Sequence, residues 1–259
     1  VDRQVLLNFH EKYYSANQMA LALLSKYSLD EMEGWAYKYF SDIKNTDSPN
    51  IDYPPVYLSE KDALRLIRVK PIKDKKELGM EFPLPIDYYQ YYGSKPEEIL
   101  ASIIGHEGKG SLLSLLKEKG LATGLGANGA PDTPDYGSLG IFISLTEKGV
   151  EQYRDVLKYC FSYFDMLKKE GFKDYLFEEK QTIAKLEEVY SDKGEGAWAA
   201  IDYANSLAFY PMEIAHRVEY HYGNPNPDTY MKVLSYIRPN NMLCVLSDSG
   251  QATPLEEFW

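Results

Sequence analysis

Four histidines, two cysteines and two glycine-rich loops are the parts of this 259-residue chain whose residue types could do chemistry. A zinc site needs three or four such side chains converging at about 2.0–2.3 Å. The histidines are His10, His106, His216 and His221, and the stretch HRVEYH from His216 to His221 comes near the pattern H-x-x-E-H. That pattern works because two histidines one helical turn apart face the same ion, while the glutamate beside the second activates water. Here Tyr220 holds the fourth place and His221 the fifth, rotated by about 140° from His216 on a helix. The spacing therefore predicts ordinary surface histidines on an amphipathic helix. His10-Glu11 and His106-Glu107 are adjacent pairs whose side chains diverge on a helix, so neither chelates alone.

The glycine loops fail as phosphate cradles. GHEGKGS, residues 105–111, carries two glycines at phosphate-loop separation, but Ser111 follows Gly110 directly where lysine is required. GLGANG, Gly124 to Gly129, matches G-x-G-x-x-G in letters only, because the following APDTPDYG, with Pro131 and Pro134, cannot open a helix toward a pyrophosphate. There is no G-x-S-x-G elbow, and Cys160 and Cys244 sit in apolar runs, LKYCFSYF and MLCVLS, as buried small hydrophobes.

Composition narrows the partners. With 44% hydrophobic and 26% charged residues the chain reads as soluble and globular, and a formal charge of −11 argues against a nucleic-acid polyanion. The basic run RLIRVKPIKDKKE, Arg65 to Glu77, reads as the solvated face of a strand followed by a charged turn. No apolar run approaches the roughly 20 residues that span a bilayer, and the first residues lack a signal-peptide layout. The compartment stays unknown.

Several elements must position these residues. Val5, Leu6, Phe9 and Tyr13 fall at helical spacing, QMALALLS reads as a buried strand, and SLDEMEGWAYKYFSDI as a helix capped by Ser28 with Glu31 completing a capping box. NTDSPNIDYPP, residues 45–55, has linker chemistry and marks a boundary. Beyond it, ALRLIRVKP, LGMEFPLP, LGIFISLT and NMLCVLS read as strands. KPEEILASIIG, GSLLSLLKEKG, residues 147–169, residues 173–190, a short stretch from Pro211 and PDTYMKVLSYI read as helices. Strands grouped with long helices predict an α+β, two-layer domain with a mainly antiparallel sheet packed against helices. One internal echo stands out: Tyr13, Asn17, Met19 and Leu23 recur at identical spacing as Tyr236, Asn240, Met242 and Leu246, each time where a helix hands over to a strand. If it marks two related domains, the N-terminal unit closes the first and the rest forms the second.

Taken together, YYSANQMALALLSKYSLDEMEGWAYKYFSDIKN, VKPIKDKKELGMEFPLP, IIGHEGKGSLLSLLKEKGLATGLGAN, SLTEKGVEQYRDVL, FYPMEIA and IRPNNMLCVLS resemble the pitrilysin/insulysin family of zinc metallopeptidases over nearly the whole chain. The resemblance implies a metallopeptidase-chamber, processing-peptidase-like fold. It implies that residues 1–45 are the closing helix, strand and helix of a preceding catalytic-type domain and residues 46–259 the second, non-catalytic αβ domain. The family's zinc would lie in that catalytic domain, leaving no cofactor, no metal ligand and no catalytic residue here.

The same resemblance implies a peptide-anchoring exosite. His106, Glu107, Gly108 and Gly110 would shape its loop, and Leu125, Gly126, Ala127 and Asn128 would offer a strand edge to which substrate adds as a further strand. Independent physics is compatible, since a strand edge presents unpaired N–H and C=O groups and glycines let a foreign backbone approach. The two prolines between Gly129 and Tyr136 leave the extent of that edge open, and so does the plainer alternative of a tight helix–helix turn at Gly108 and Gly110 with His106 packed or capping. Implied partners are a peptide substrate and the remaining domains of the same metallopeptidase; neither a nucleic acid nor a membrane span is implied, and a dimer is admitted. Acidity would favour peptides with a cationic N-terminus at short range. Other classes remain: a structural or assembly subunit akin to the silent core subunits of processing-peptidase-like complexes, or an independent hydrolase with an unrecognised site.

Overall fold

A computed structural model describes residues 2–49, 65–87, 89–133, 136–191 and 196–250. The chain divides into two compact units, one of residues 1–53 with 183–221 and the other of residues 54–182 with 222–259.

The first unit opens with helix α1 (Arg3–Tyr13), a 3-10 turn over Ala16–Gln18 and helix α2 (Leu29–Phe40). The capping box expected at α2 is present: Ser28 Oγ accepts from the Glu31 N–H at 3.3 Å, and Glu31 accepts from the Ser28 N–H at 3.0 Å. The buried strand expected over QMALALLS is not found. Residues 19–24 are assigned to no strand among the described residues, with Met19, Leu21, Leu23 and Leu24 exposed. An apolar run makes a strand only where a second backbone supplies the ladder. The echo nevertheless has a structural counterpart. Tyr13 and Tyr236 each end a helix, Asn17 and Asn240 each lie in a 3-10 turn, and extended chain follows both.

In the second unit, β1 (Arg65–Val69), β2 (Lys76–Leu84), β3 (Ala122–Thr133), β4 (Tyr136–Leu145) and β5 (Leu243–Asp248) form one sheet in the order β1-β5-β2-β4-β3. Among the described residues only β1 and β5 run parallel; the other three pairings are antiparallel. Side chains alternate across the pleat, so one face of β2, β4 and β5 collects Leu78, Met80, Phe82, Leu139, Ile141, Ile143, Cys244 and Leu246, all buried. Helices α3 (Pro96–Ile104), α4 (Leu112–Glu118), α6 (Tyr153–Glu170) and α10 (Pro227–Tyr236) supply the matching layer through Ile99, Leu113, Cys160, Phe164 and Val233. The ring of Phe82 meets Phe164 edge-on at a centroid distance of 6.2 Å. Every residue of β1 is exposed, its apolar Leu66, Ile67 and Val69 as well as the basic residues whose solvated face the run suggested.

Three helical details depart from expectation. The long helix from residue 147 breaks at Gln152 into α5 (Glu147–Glu151) and α6, a separate helix α8 (Gly196–Leu207) is present after α7 (Asp174–Tyr190), and HRVEYH forms no amphipathic helix. It follows the four-residue α9 (Met212–Ala215) as a run of turns, and His216 is exposed.

Candidate functional site

Among the described residues, the order of the sheet places β3 at its margin, paired with β4 alone. Which of its polar groups turn outward follows from a proline two strands away. Pro83 has no N–H, and its carbonyl accepts from Asn241 Nδ2 at 2.9 Å on the β5 side. Pro83 therefore turns away from β4, and its partner Ser138 turns its backbone groups toward β3. By alternation Gly140 and Phe142 do the same, engaging Asn128 and Gly126. The Thr146 N–H, donated to Leu121 O at 3.1 Å, agrees with this phase. Leu125, Ala127 and Gly129 consequently direct their N–H and C=O groups away from β4, and the side chains of Gly126 and Asn128 belong to the sheet face opposite the helices. Leu125 is buried, whereas Gly126 and Asn128 are exposed. The strand continues through Thr133 with an irregularity between Pro131 and Thr133, so the first of the two prolines does not end the edge; Pro134 lies outside the described residues.

The loop expected beside this edge joins α3 to α4. His106, Glu107 and Gly110 are exposed, and the pair His106-Glu107 lies in that loop rather than on a helix. The His106 imidazole folds back over Gly108, its Nε2 standing 2.5 Å from where a Cβ of Gly108 would be. Gly110 adopts φ +88°, a left-handed conformation that strongly favours glycine, just before Ser111 caps α4 by accepting from the Ser114 N–H at 3.1 Å. The residue that actually reaches the strand is one the sequence reading passed over. A Cβ on Gly105 would stand 3.4 Å from Ala127 N and 3.1 Å from Ala101 O. The sequence signal available was only a glycine closing an apolar helix, and its nearness to Ala127 comes from the packing of α3 on β3.

A second unexpected group sits further along the same margin. Glu97, in the first turn of α3, lies against Gly129 so closely that a Cβ there would come 2.7 Å from Glu97 Cγ. Its Oε2 is buried and has no hydrogen-bond partner among the described residues. Burial pushes its carboxyl up to about 7, with Glu98 adding to the rise and Lys95 opposing it. Lys95 itself pairs with Glu98 at 3.5 Å and lies over the Tyr222 ring, whose hydroxyl donates to Glu98 Oε1 at 2.6 Å.

Among the described residues, no group of three or more His, Cys, Asp or Glu side chains is placed to hold a metal ion. The nearest chemical likeness, HRVEYH, does not fit one: neither of its histidines lies on a helix, and Arg217 spends its guanidinium on Glu188 at 2.9 Å. Cys160 and Cys244 are buried free thiols, both pushed up by desolvation, to about 12 and about 11. Such thiols are inert as nucleophiles.

The family described as Peptidase M16 inactive domain matches residues 1–183. The chain belongs to the peptidase M16 family. It is 34% identical over 260 residues to the insulin-degrading enzyme of Homo sapiens, covering 99% of this chain and 25% of that protein. It is 32% identical over 244 residues to the insulin-degrading enzyme of Drosophila melanogaster, covering 94% of this chain and 24% of that protein. The crystal structure of pitrilysin superposes with a TM-score of 0.86 at 26% identity, covering 95% of this chain and 26% of pitrilysin. A Schizosaccharomyces pombe relative, 32% identical over 250 residues, carries a name that describes a zinc protease. The M16 chain thus spans about a quarter of the length of these relatives and is an inactive-type M16 domain of the pitrilysin/insulysin kind, as the sequence resemblance implied. No helix among the described residues is long and apolar enough to cross a membrane.

Proposed function

We propose that this M16 chain grips peptide rather than cutting it, forming part of the wall of a metallopeptidase chamber and anchoring substrate by β-strand addition to β3. The observation that carries the reading is the outward turn of the Leu125 and Ala127 backbone groups on a marginal strand, with Gly105 leaving the Ala127 amide uncrowded. Main-chain bonds to such an edge give affinity without demanding a particular sequence, which suits a substrate holder. The HEGKGS loop flanks the entry, where exposed Glu107 can meet a cationic N-terminus.

The same reading makes residues 1–45 the closing piece of a preceding catalytic-type domain and residues 46–259 the second, non-catalytic domain. The repeated helix, 3-10 turn and extended segment at Tyr13 and Tyr236 supports it. Zinc would be held by that other domain, and the remaining domains would be this chain's partners.

Amide-resolved hydrogen exchange tests the anchor. Added peptide should slow exchange at the outward amides of Leu125 and Ala127, while Gly126 and Asn128, already bonded to β4, should change little. Peptide binding that leaves Leu125 and Ala127 exchanging as before would overturn the reading.

A further inference from the structure

The open face of the sheet carries a feature that strand addition alone does not require. Phe142 is 46% exposed at the middle of β4, and both of its direct cross-strand neighbours are glycines, Gly79 on β2 and Gly126 on β3. Its ring covers Gly140, two residues back on its own strand: a Cβ there would stand 3.0 Å from the ring. A Cβ on Gly79 would make ordinary contact with it at 3.8 Å. Covering bare glycines is a structural use for an aromatic ring. It does not account for Gly126, where an added Cβ would meet nothing within 4 Å. Between the Phe142 ring and the sheet margin the open face above Gly126 is therefore bare, with exposed Asn128 next along β3 on the same face.

We infer that Phe142 and the bare face above Gly126 form an aromatic-selective subsite, which takes the side chain of one particular residue of a peptide strand added to β3. This rests on the strand-addition reading above. An antiparallel strand bonded to the outward groups of Leu125 and Ala127 places one residue directly opposite Gly126, in a non-hydrogen-bonded pair where side chains stand closest. Its side chain falls on the open face, in the same row as Gly126 and Phe142. Strands lie about 4.8 Å apart, so that residue's backbone stands about 10 Å from that of Phe142, and an aromatic side chain leaning inward over the bare glycine approaches the exposed Phe142 ring to roughly the 4.5–7 Å centroid spacing of aromatic pairs. A side chain on Gly126 would close the gap. The substrate class is thus a peptide carrying Phe, Tyr or Trp at this one position.

The test uses eight-residue peptides with free N-termini, all serine except for a single phenylalanine moved through each position, with binding to the intact protein read by anisotropy. One position should bind about tenfold more tightly than the all-serine peptide, the size of an aromatic pair. F142A should flatten that preference to within about twofold, since the lost contact is the aromatic pair. G126V should flatten it as well, with the ring still in place. A preference that survives in F142A and G126V, or a wild-type protein indifferent to phenylalanine position, overturns the subsite while leaving the anchor standing. Equal binding of every peptide to A127P overturns the anchor itself, and the subsite with it. Far-UV circular dichroism of F142A confirms folding, which exposure of the ring leads one to expect.

Discussion

Gly105 and Ala127 meet across the boundary between helix α3 and strand β3, close enough that a methyl group on the glycine would come into contact with the alanine nitrogen at 3.4 Å. That nitrogen faces away from β4, because the phase set at Pro83 turns it outward. Replacing Ala127 by proline deletes this donor without touching the β3–β4 ladder. Peptide binding should weaken by about 1 kcal/mol or more. Thermal unfolding of the variant should stay close to that of the parent. Unchanged affinity in a folded A127P chain would show that the peptide is held elsewhere.

The loop that follows should respond differently, in stability before binding. Gly110 occupies φ +88°, and forcing an L side chain into that region costs about 1–2 kcal/mol. Nothing lies within 4 Å of the added Cβ, so no clash contributes to that cost. Denaturant unfolding of G110A should show this loss. Ser111→Ala removes the N-cap bond to the Ser114 amide and should cost about 1 kcal/mol by the same measurement. A neutral G110A would mean that the loop relaxes into another turn.

Metal uptake separates a holder from a hydrolase. With its histidines dispersed and Arg217 bound to Glu188, the chain should not retain zinc after dialysis, and alanine at both His216 and His221 should make no difference. Stoichiometric retention together with peptide cleavage by this chain alone would overturn the proposal.

Much of this architecture could be read from alternation, and the failures have a common cause. Leu78, Met80 and Phe82 declare a half-buried strand because burial on one face leaves a period of two in the sequence. Met19 to Leu24 carry as apolar a run, yet Met19, Leu21, Leu23 and Leu24 are exposed and make no strand among the described residues, since a ladder needs a partner that periodicity cannot see. GAWAAIDYANSL, the missed α8, is rich in small residues and shows no clean stripe. The same limit holds at the site. The HEGKGS and LGAN segments were legible as candidates, but the direction of the Ala127 amide depends on Pro83 and Asn241, far away in sequence. The value of Gly105, Gly126 and Gly129 depends on what stands opposite each of them. A glycine's meaning lies in its neighbour.

Glu97 gives the pH dependence. Packed against Gly129 with one oxygen buried and unpartnered among the described residues, its carboxyl favours the neutral form, pushed up to about 7 by burial from an ordinary value of 4.5. The sign follows from proton binding: between 4.5 and about 7 the folded chain holds a proton that the unfolded chain has released, so folding there weakens as pH rises. This contribution is intact below 4.5 and lost above about 7. E97Q keeps the shape without the charge. It should therefore match the parent in urea unfolding at pH 4.5 and exceed it at pH 8 by about 1–3 kcal/mol. If E97Q and the parent instead track each other across the whole range, the Glu97 carboxyl is solvated in the folded chain and the margin of β3 holds no buried acid.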